Sequence, residues 1–150
     1  MREIKYIVIH CTATSQKTTI KSILNYWKNT LKWKSPGYHY IYETSGNEVQ
    51  LQGINKPTNG VANYNANSIH LSYIGGIDSK GKSVDNRTEE QKYFMERRVK
   101  ILKNLYPNAE VLGHRDFPKV AKDCPCFDAR AWFKEFHNKS LTNILNVFIR

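Results

Sequence analysis

EIKYIVIHCTAT, residues 3–14, sets the architecture of this chain. Ile4, Tyr6 and Val8 alternate with Lys5, Ile7 and Ile9, so the run is apolar on both faces by its end. A strand with one face in water keeps polar residues at every second position, whereas one buried on both faces loses them. Residues 4–9 therefore predict a central strand that ends at His10, where the polar HCTATSQKTT takes over.

After that strand, Thr18-Thr19 opens a segment with Ile20, Ile23, Leu24, Trp27 and Leu31 at helical spacing, closed off by Pro36-Gly37. Tyr38 to Thr44 and Glu48 to Gln52, joined by Ser45-Gly46-Asn47, predict a hairpin. GINKPTNGVANYNA, residues 53–66, is a long Gly/Asn/Pro-rich loop, and in a compact domain such loops are more often functional than idle. SIHLSYIG, residues 68–75, predicts a further strand. Thr88 with Gln91 forms a capping box for a helix with Phe94, Met95, Ile101, Leu102 and Leu105 as its buried stripe. Ala109 to Leu112 predicts a short strand leading to His114. Asp128 caps a helix bearing Trp132, Phe133 and Phe136, and Ser140 to Ile149 reads as another short amphipathic helix. The sum is an α/β domain with a central mixed β-sheet flanked by helices, a single domain over residues 1–150 with 138–150 as a helical extension.

The totals narrow the function. No apolar run approaches the roughly 18 to 20 residues of a membrane helix, so no membrane insertion is expected. Ile7-Val8-Ile9 is too short for the apolar core of a signal peptide, which implies synthesis in the cytoplasm without one. A net charge of +10, from 23 Lys+Arg against 13 Asp+Glu, favours an anionic partner such as nucleic acid, a membrane surface or bacterial cell wall. The basic residues are scattered, with no dense arm, so no nucleic-acid partner is expected. Three cysteines, two of them at positions 124 and 126, do not make a disulfide framework; reduced thiols or metal ligands fit better.

Chemistry concentrates at the strand ends. His10 lies where the central strand runs out, His114 directly after another strand, and Cys124 ten positions later on VLGHRDFPKVAKDCPCFD, residues 111–128. Strand ends feeding loops are where α/β domains place their sites, and two imidazoles with a thiolate are donors that zinc prefers. No H-x-x-x-H or C-x-x-C pair announces a metal, so spacing alone leaves satisfied polar histidines and an inert cysteine equally open.

Several fragments in order add to this: IVIHCTAT at 7–14, GYHYIYETSG at 37–46, NYNANSIHLSYIGG at 63–76, EEQKYFMERRVKIL at 89–102 and the 111–128 segment. With them the chain resembles the zinc-dependent N-acetylmuramoyl-L-alanine amidases of the phage endolysin and peptidoglycan recognition protein superfamily, over residues 4 to about 137. The resemblance implies an amidase-like α/β fold and one zinc ion on His10, His114 and Cys124. Three protein ligands leave a fourth position for water, whose pKa zinc can lower to about 7. It also implies that Tyr38 and Lys122 are catalytic, as donors to the carbonyl oxygen of the amide joining N-acetylmuramic acid to L-alanine. Members that bind peptidoglycan without cutting it commonly lack the thiol ligand, so Cys124 argues for an enzyme. Trp33, Asn63 and Asn65 are expected in the substrate groove.

Each residue also has a plainer reading. Tyr38 alone is one more aromatic of its strand, sharing a face with Tyr40 and Tyr42, with His39 structural on the opposite face. Cys11 is expected to point away from His10, and a lone Lys122 would be a solvated lysine. Arg115 and Asp116 either orient the metal loop or form an exposed ion pair. Two departures from the resemblance stand out. Relatives usually carry a small non-ligand residue where Cys126 stands, and a fourth ligand there would close the site; a bystander thiol is the expected reading. Many relatives also carry a histidine near Gly60, which this chain lacks.

The expected function is peptidoglycan cleavage by a phage or prophage endolysin acting on the cell wall after release or non-classical export, as a monomer. Some phage relatives have a regulatory protein partner, but nothing in this sequence displays such a surface. The competing classes are a non-catalytic peptidoglycan-binding module and a cysteine hydrolase using Cys11 or Cys124 with His114.

Overall fold

In the computed structural model, which describes residues 1–149, Ile7, Val8 and Ile9 are wholly buried. Their strand, β1 (Tyr6–Cys11), runs parallel to β4 (Ser68–Tyr73) on one side and to β5 (Glu110–Gly113) on the other. β4 pairs in parallel with β2 (Tyr40–Tyr42), and β2 pairs antiparallel with β3 (Glu48–Gln50), giving a mixed sheet of order β3-β2-β4-β1-β5. The expected central strand is thus bonded on both edges, but it starts at Tyr6, not Ile4, and continues through His10 to Cys11. Gly46 turns the hairpin at φ +89°, a backbone region that side chains disfavour.

Strand alternation gives the two faces different covers. Ile7, Ile9, Tyr40, Tyr42, Ile69 and Leu71 pack against Met95, Val99 and Leu102 of α2 (Glu89–Leu105) and Ala129 and Phe136 of α3 (Ala129–Ile149). On the opposite face, Ile41 and Ile74 meet Ile23 of α1 (Ile20–Asn25) and Trp27 of its π-helical continuation, Tyr26–Thr30. Beside them Val8 and Leu112 pack with Val61 of the long loop and Phe117. This second face carries the site.

The caps explain where the helices begin. Thr88 Oγ1 accepts from the Gln91 N–H (3.1 Å) while Gln91 Oε1 accepts from the Thr88 N–H (2.9 Å), closing the capping box. The wholly buried Gln91 also donates through Nε2 to the carbonyls of Tyr42 and Ile74, fastening the helix start to β2 and the end of β4. Asp128 Oδ1 accepts from the Ala131 N–H (3.1 Å), as its position before α3 implied.

Three details differ from the sequence reading. The buried line of α2 is Met95, Val99 and Leu102; Ile101 and Leu105 fall off it and are 37% and 60% exposed. Residues 140–149 continue α3 instead of forming a separate helix, since 129–149 contains neither proline nor glycine to break it. The first helix stays α-helical only to Asn25; the Leu31 N–H then reaches back five residues to the Tyr26 carbonyl (3.0 Å). That widened turn shifts the facing, and Leu31 is exposed while Trp27 is buried.

Candidate metal centre

Because β1 and β5 are parallel, their C-terminal ends share one edge of the sheet. His10 is the penultimate residue of β1 and His114 the first after β5, and their rings lie 5.0 Å apart centre to centre. The loop after His114 returns Cys124 to the same place. It is held there by the Arg115 N–H on the Cys124 carbonyl (2.8 Å), the Cys11 N–H on the Cys124 sulfur (3.2 Å) and the Tyr73 hydroxyl on the Pro125 carbonyl (2.7 Å). Asp116 ties the turn by accepting from the Gly113 N–H (2.8 Å).

One donor atom each from His10, His114 and Cys124 lies within 4.8 Å of the others. His10 Nδ1 and the Cys124 sulfur are 3.8 Å apart, near the ~3.5 Å edge of a tetrahedral site with bonds of about 2.0 and 2.3 Å. Burial, with the positive charge of Lys122 adding to it, pushes the His114 pKa down to about 4. The same burial, reinforced by the neighbouring histidines and Lys122, holds His10 well below its usual value. Both rings are therefore neutral at pH 7 and keep a lone pair for a cation, so the donor set fits a zinc ion in its chemistry as well as its spacing.

This cluster lies in the wall of an open groove of about 660 Å³, lined also by Tyr38, Trp33, Asn63 and Lys122. A second groove of about 650 Å³ shares Trp27, Trp33, Tyr38 and Lys122 with the first and runs over the π-helical turn. The Tyr38 ring is 5.0 Å from that of His10 and 5.3 Å from that of Trp27, and its hydroxyl donates to the Cys11 carbonyl at 3.4 Å. Burial holds the phenol above its ordinary pKa, with the Cys124 thiol adding to the effect, so it carries its proton. Lys122 is exposed on the groove wall. Asn65 does not line this groove; it stands behind the wall with Oδ1 turned to His70.

Two parity assignments change. β2 starts only at Tyr40, so Tyr38 lies outside the strand and alternation does not govern it. Tyr38 packs with Trp27 and Ile41, whereas Tyr40 and Tyr42 point to the α2 side. His39, wholly buried, stacks on His70 (6.0 Å, 15°) and accepts at Nδ1 from the His70 N–H (3.0 Å), so it belongs to the site face as a packing residue. Cys11 does point away from His10, into the cluster under α2 and α3. Its sulfur lies 3.8 Å from that of Cys126, which in turn donates to the Gly76 carbonyl (3.4 Å). Among the described residues, Cys126 is outside the donor cluster.

The residue missed from the sequence is His70. It is wholly buried, with Nδ1 2.8 Å from His10 Nε2 and Nε2 2.8 Å from Asn65 Oδ1. In SIHLSYIG it has the look of an ordinary strand residue, and no motif marks it.

The family model described as N-acetylmuramoyl-L-alanine amidase matches residues 1–127. The endolysin of Enterobacteria phage K11 is 28% identical over 134 residues, covering 89% of this chain and 87% of that protein. The endolysin of Escherichia phage T7 is 30% identical over 131 residues, covering 86% and 85%. Among solved structures, the N-acetylmuramoyl-L-alanine amidase LysC from Clostridium intestinale superposes with a TM-score of 0.76 at 19% identity, over 91% of this chain and 87% of that one, a likeness of fold.

Proposed function

The chain belongs to the N-acetylmuramoyl-L-alanine amidase family, and from that premise we propose that it cleaves peptidoglycan with one zinc ion held by His10, His114 and Cys124. The bond is the amide between N-acetylmuramic acid and the L-alanine of the stem peptide. The observation that carries the zinc reading is the gathering of two neutral imidazoles and a thiol within 4.8 Å in a groove wall. When bound there, zinc supplies a Lewis acid and lowers the pKa of water to about 7.

The chain's own residues do the rest. Tyr38 keeps its phenolic proton beside His10, and Lys122 brings an ammonium to the same groove. Both are donors for the carbonyl oxygen as negative charge develops on it, a task for which preorganised donors typically supply about 10²- to 10³-fold in rate. Trp33 and Asn63 line the groove and serve as substrate contacts. A cysteine nucleophile finds no support in Cys11, whose thiol faces the far core and is raised in pKa by its hydrogen bond to Cys124 and by burial.

The phage endolysins match over most of their own length, which supports a phage or prophage endolysin acting on the cell wall. No helix among the described residues is long and apolar enough to cross a membrane. The net charge of +10 suits an anionic wall. The test is incubation with purified muropeptides, with and without chelator, and mass analysis of the products. Release of intact stem peptide that stops with chelator is expected; cleavage of the sugar chain would overturn the reading.

A further inference from the structure

His10 can meet a cation through Nδ1 only if its proton sits on Nε2, and the structure shows what fixes that choice. The Val61 backbone N–H, which can only donate, points at Asn65 Oδ1 (2.8 Å). That contact identifies the atom as the amide oxygen, an acceptor. His70 Nε2 lies 2.8 Å from the same oxygen and so must carry a hydrogen. Among the described residues, none of the side-chain hydrogen-bond partners of His70 is a carboxylate, and the ring is wholly buried, so it is neutral and its other nitrogen, Nδ1, bears a lone pair. His10 Nε2, 2.8 Å from that lone pair, is then the donor. What remains on His10 is an unprotonated Nδ1, the atom 3.8 Å from the Cys124 sulfur.

We propose that Asn65 and His70 are positioning residues that set the tautomer and ring plane of His10 through this relay, so that Nδ1 is presented to the metal. The proposal rests on the zinc reading of the site. Histidines bound to metals usually pass their second N–H to a carboxylate, a backbone carbonyl or water. Here the acceptor is a second imidazole, oriented by an amide whose own orientation is set by the main chain. Two neighbours confine the ring of His70. His39 stacks on it at 15°, and Gly60 lies so close that a Cβ there would fall 2.5 and 2.6 Å from ring atoms Cγ and Cε1.

The relay is read directly by long-range proton–nitrogen correlation spectra of the imidazole rings in nitrogen-labelled protein, metal-free and zinc-loaded. His10 and His70 are both expected protonated at Nε2, with His10 bound to zinc through Nδ1. A Nδ1-protonated His10 or coordination through its Nε2 would overturn the proposal. In Asn65→Ala the acceptor is gone, and zinc affinity measured by chelator competition is expected to fall about 10- to 100-fold. In the spectra of metal-free Asn65→Ala, His10 is expected to pass from the single Nε2-protonated form to a mixture of tautomers. Unchanged affinity or unchanged tautomers in a folded Asn65→Ala protein would count against the relay. If the parent binds no zinc, the metal reading fails, while the tautomers of the metal-free protein still decide the relay itself.

Discussion

Replacing Gly60 by alanine probes how tightly His70 is held. The added methyl would sit 2.5 and 2.6 Å from Cγ and Cε1 of His70 and closer still to Nδ1, against an ordinary carbon contact of about 3.5 to 4.0 Å. The ring must retreat by roughly 1 Å, but His39 is stacked on it. The methyl would stand over the face of the ring, so the retreat runs along the ring normal and lengthens the in-plane 2.8 Å bonds to His10 and Asn65 only to about 3.0 Å while bending them. An overpacking strain of about 1 to 3 kcal/mol is therefore the main cost of the variant. Gly60 is not among the positive-φ residues, so alanine recovers about 0.4 to 1 kcal/mol through the unfolded chain. The net expectation is a loss of about 0.5 to 2 kcal/mol, read as a urea midpoint lowered by about 0.3 to 1 M in the metal-free protein. Combining Gly60→Ala with His70→Ala separates this clash from other causes. The methyl then enters vacated space, and the double variant is expected to be more stable than the sum of the two singles by well over the ~0.5 kcal/mol scatter of additive pairs. Additive losses, or a Gly60→Ala protein as stable as its parent, would refute the packing argument.

Other expectations are independent of that one. Tyr38→Phe and Lys122→Ala should each lower kcat on muropeptides by about 10² or more with zinc content intact; activity near the parent's would remove that residue from the chemistry. Metal analysis should find zinc retained in Cys126→Ser, whose parent thiol is bonded to Gly76, and lost in Cys124→Ser. Burial, with the charge of Arg2 adding to it, lowers His39 to about 4 against the partial compensation of its bond to the Lys56 carbonyl. The unfolded chain therefore binds a proton at this residue below about pH 6.5 that the folded chain refuses. Stability conferred above that pH is lost as the pH falls from about 6.5 towards 4, by up to about 1.4 kcal/mol per unit. Urea midpoints of metal-free protein at descending pH should fall less steeply in His39→Gln; identical slopes would show that His39 takes no part.

Signals written in local sequence came through. The doubly apolar run read at residues 4–9 falls mostly within the interior strand, which starts two residues later and runs through His10 to Cys11, and the Thr88/Gln91 pair forms both bonds of its box. The order of fragments pointed to His10, His114 and Cys124, which strand ends and a returning loop bring together. Signals needing tertiary knowledge did not come through. Helical spacing does not tell an i+4 bond from an i+5 bond, so the π turn at Tyr26–Thr30 and the exposure of Leu31 were hidden. Alternation misassigned Tyr38 and His39 because the strand begins two residues later than the aromatic pattern does. His70 was out of reach altogether, since its role depends on a glycine ten residues earlier and on the end of another strand.

Gly60 and Cys126, the two departures from the family resemblance, gain a common physical meaning from this. Neither holds one of the clustered donors. The bare Cα of Gly60 admits the ring of His70, and His70 accepts from His10. The thiol of Cys126 lies between the Gly76 carbonyl and the sulfur of Cys11, the residue whose N–H donates to the Cys124 sulfur. Both therefore act on the backing of a ligand, one behind His10 and one behind Cys124. A missing groove histidine near residue 60 accordingly says less about substrate contacts than about how His10 is held. If so, restoring a histidine at position 60 without removing His70 should weaken zinc binding before it changes the products released, and chelator competition alongside product mass analysis on Gly60→His reads the two separately. Altered products with parental zinc affinity would return residue 60 to the substrate side of the groove.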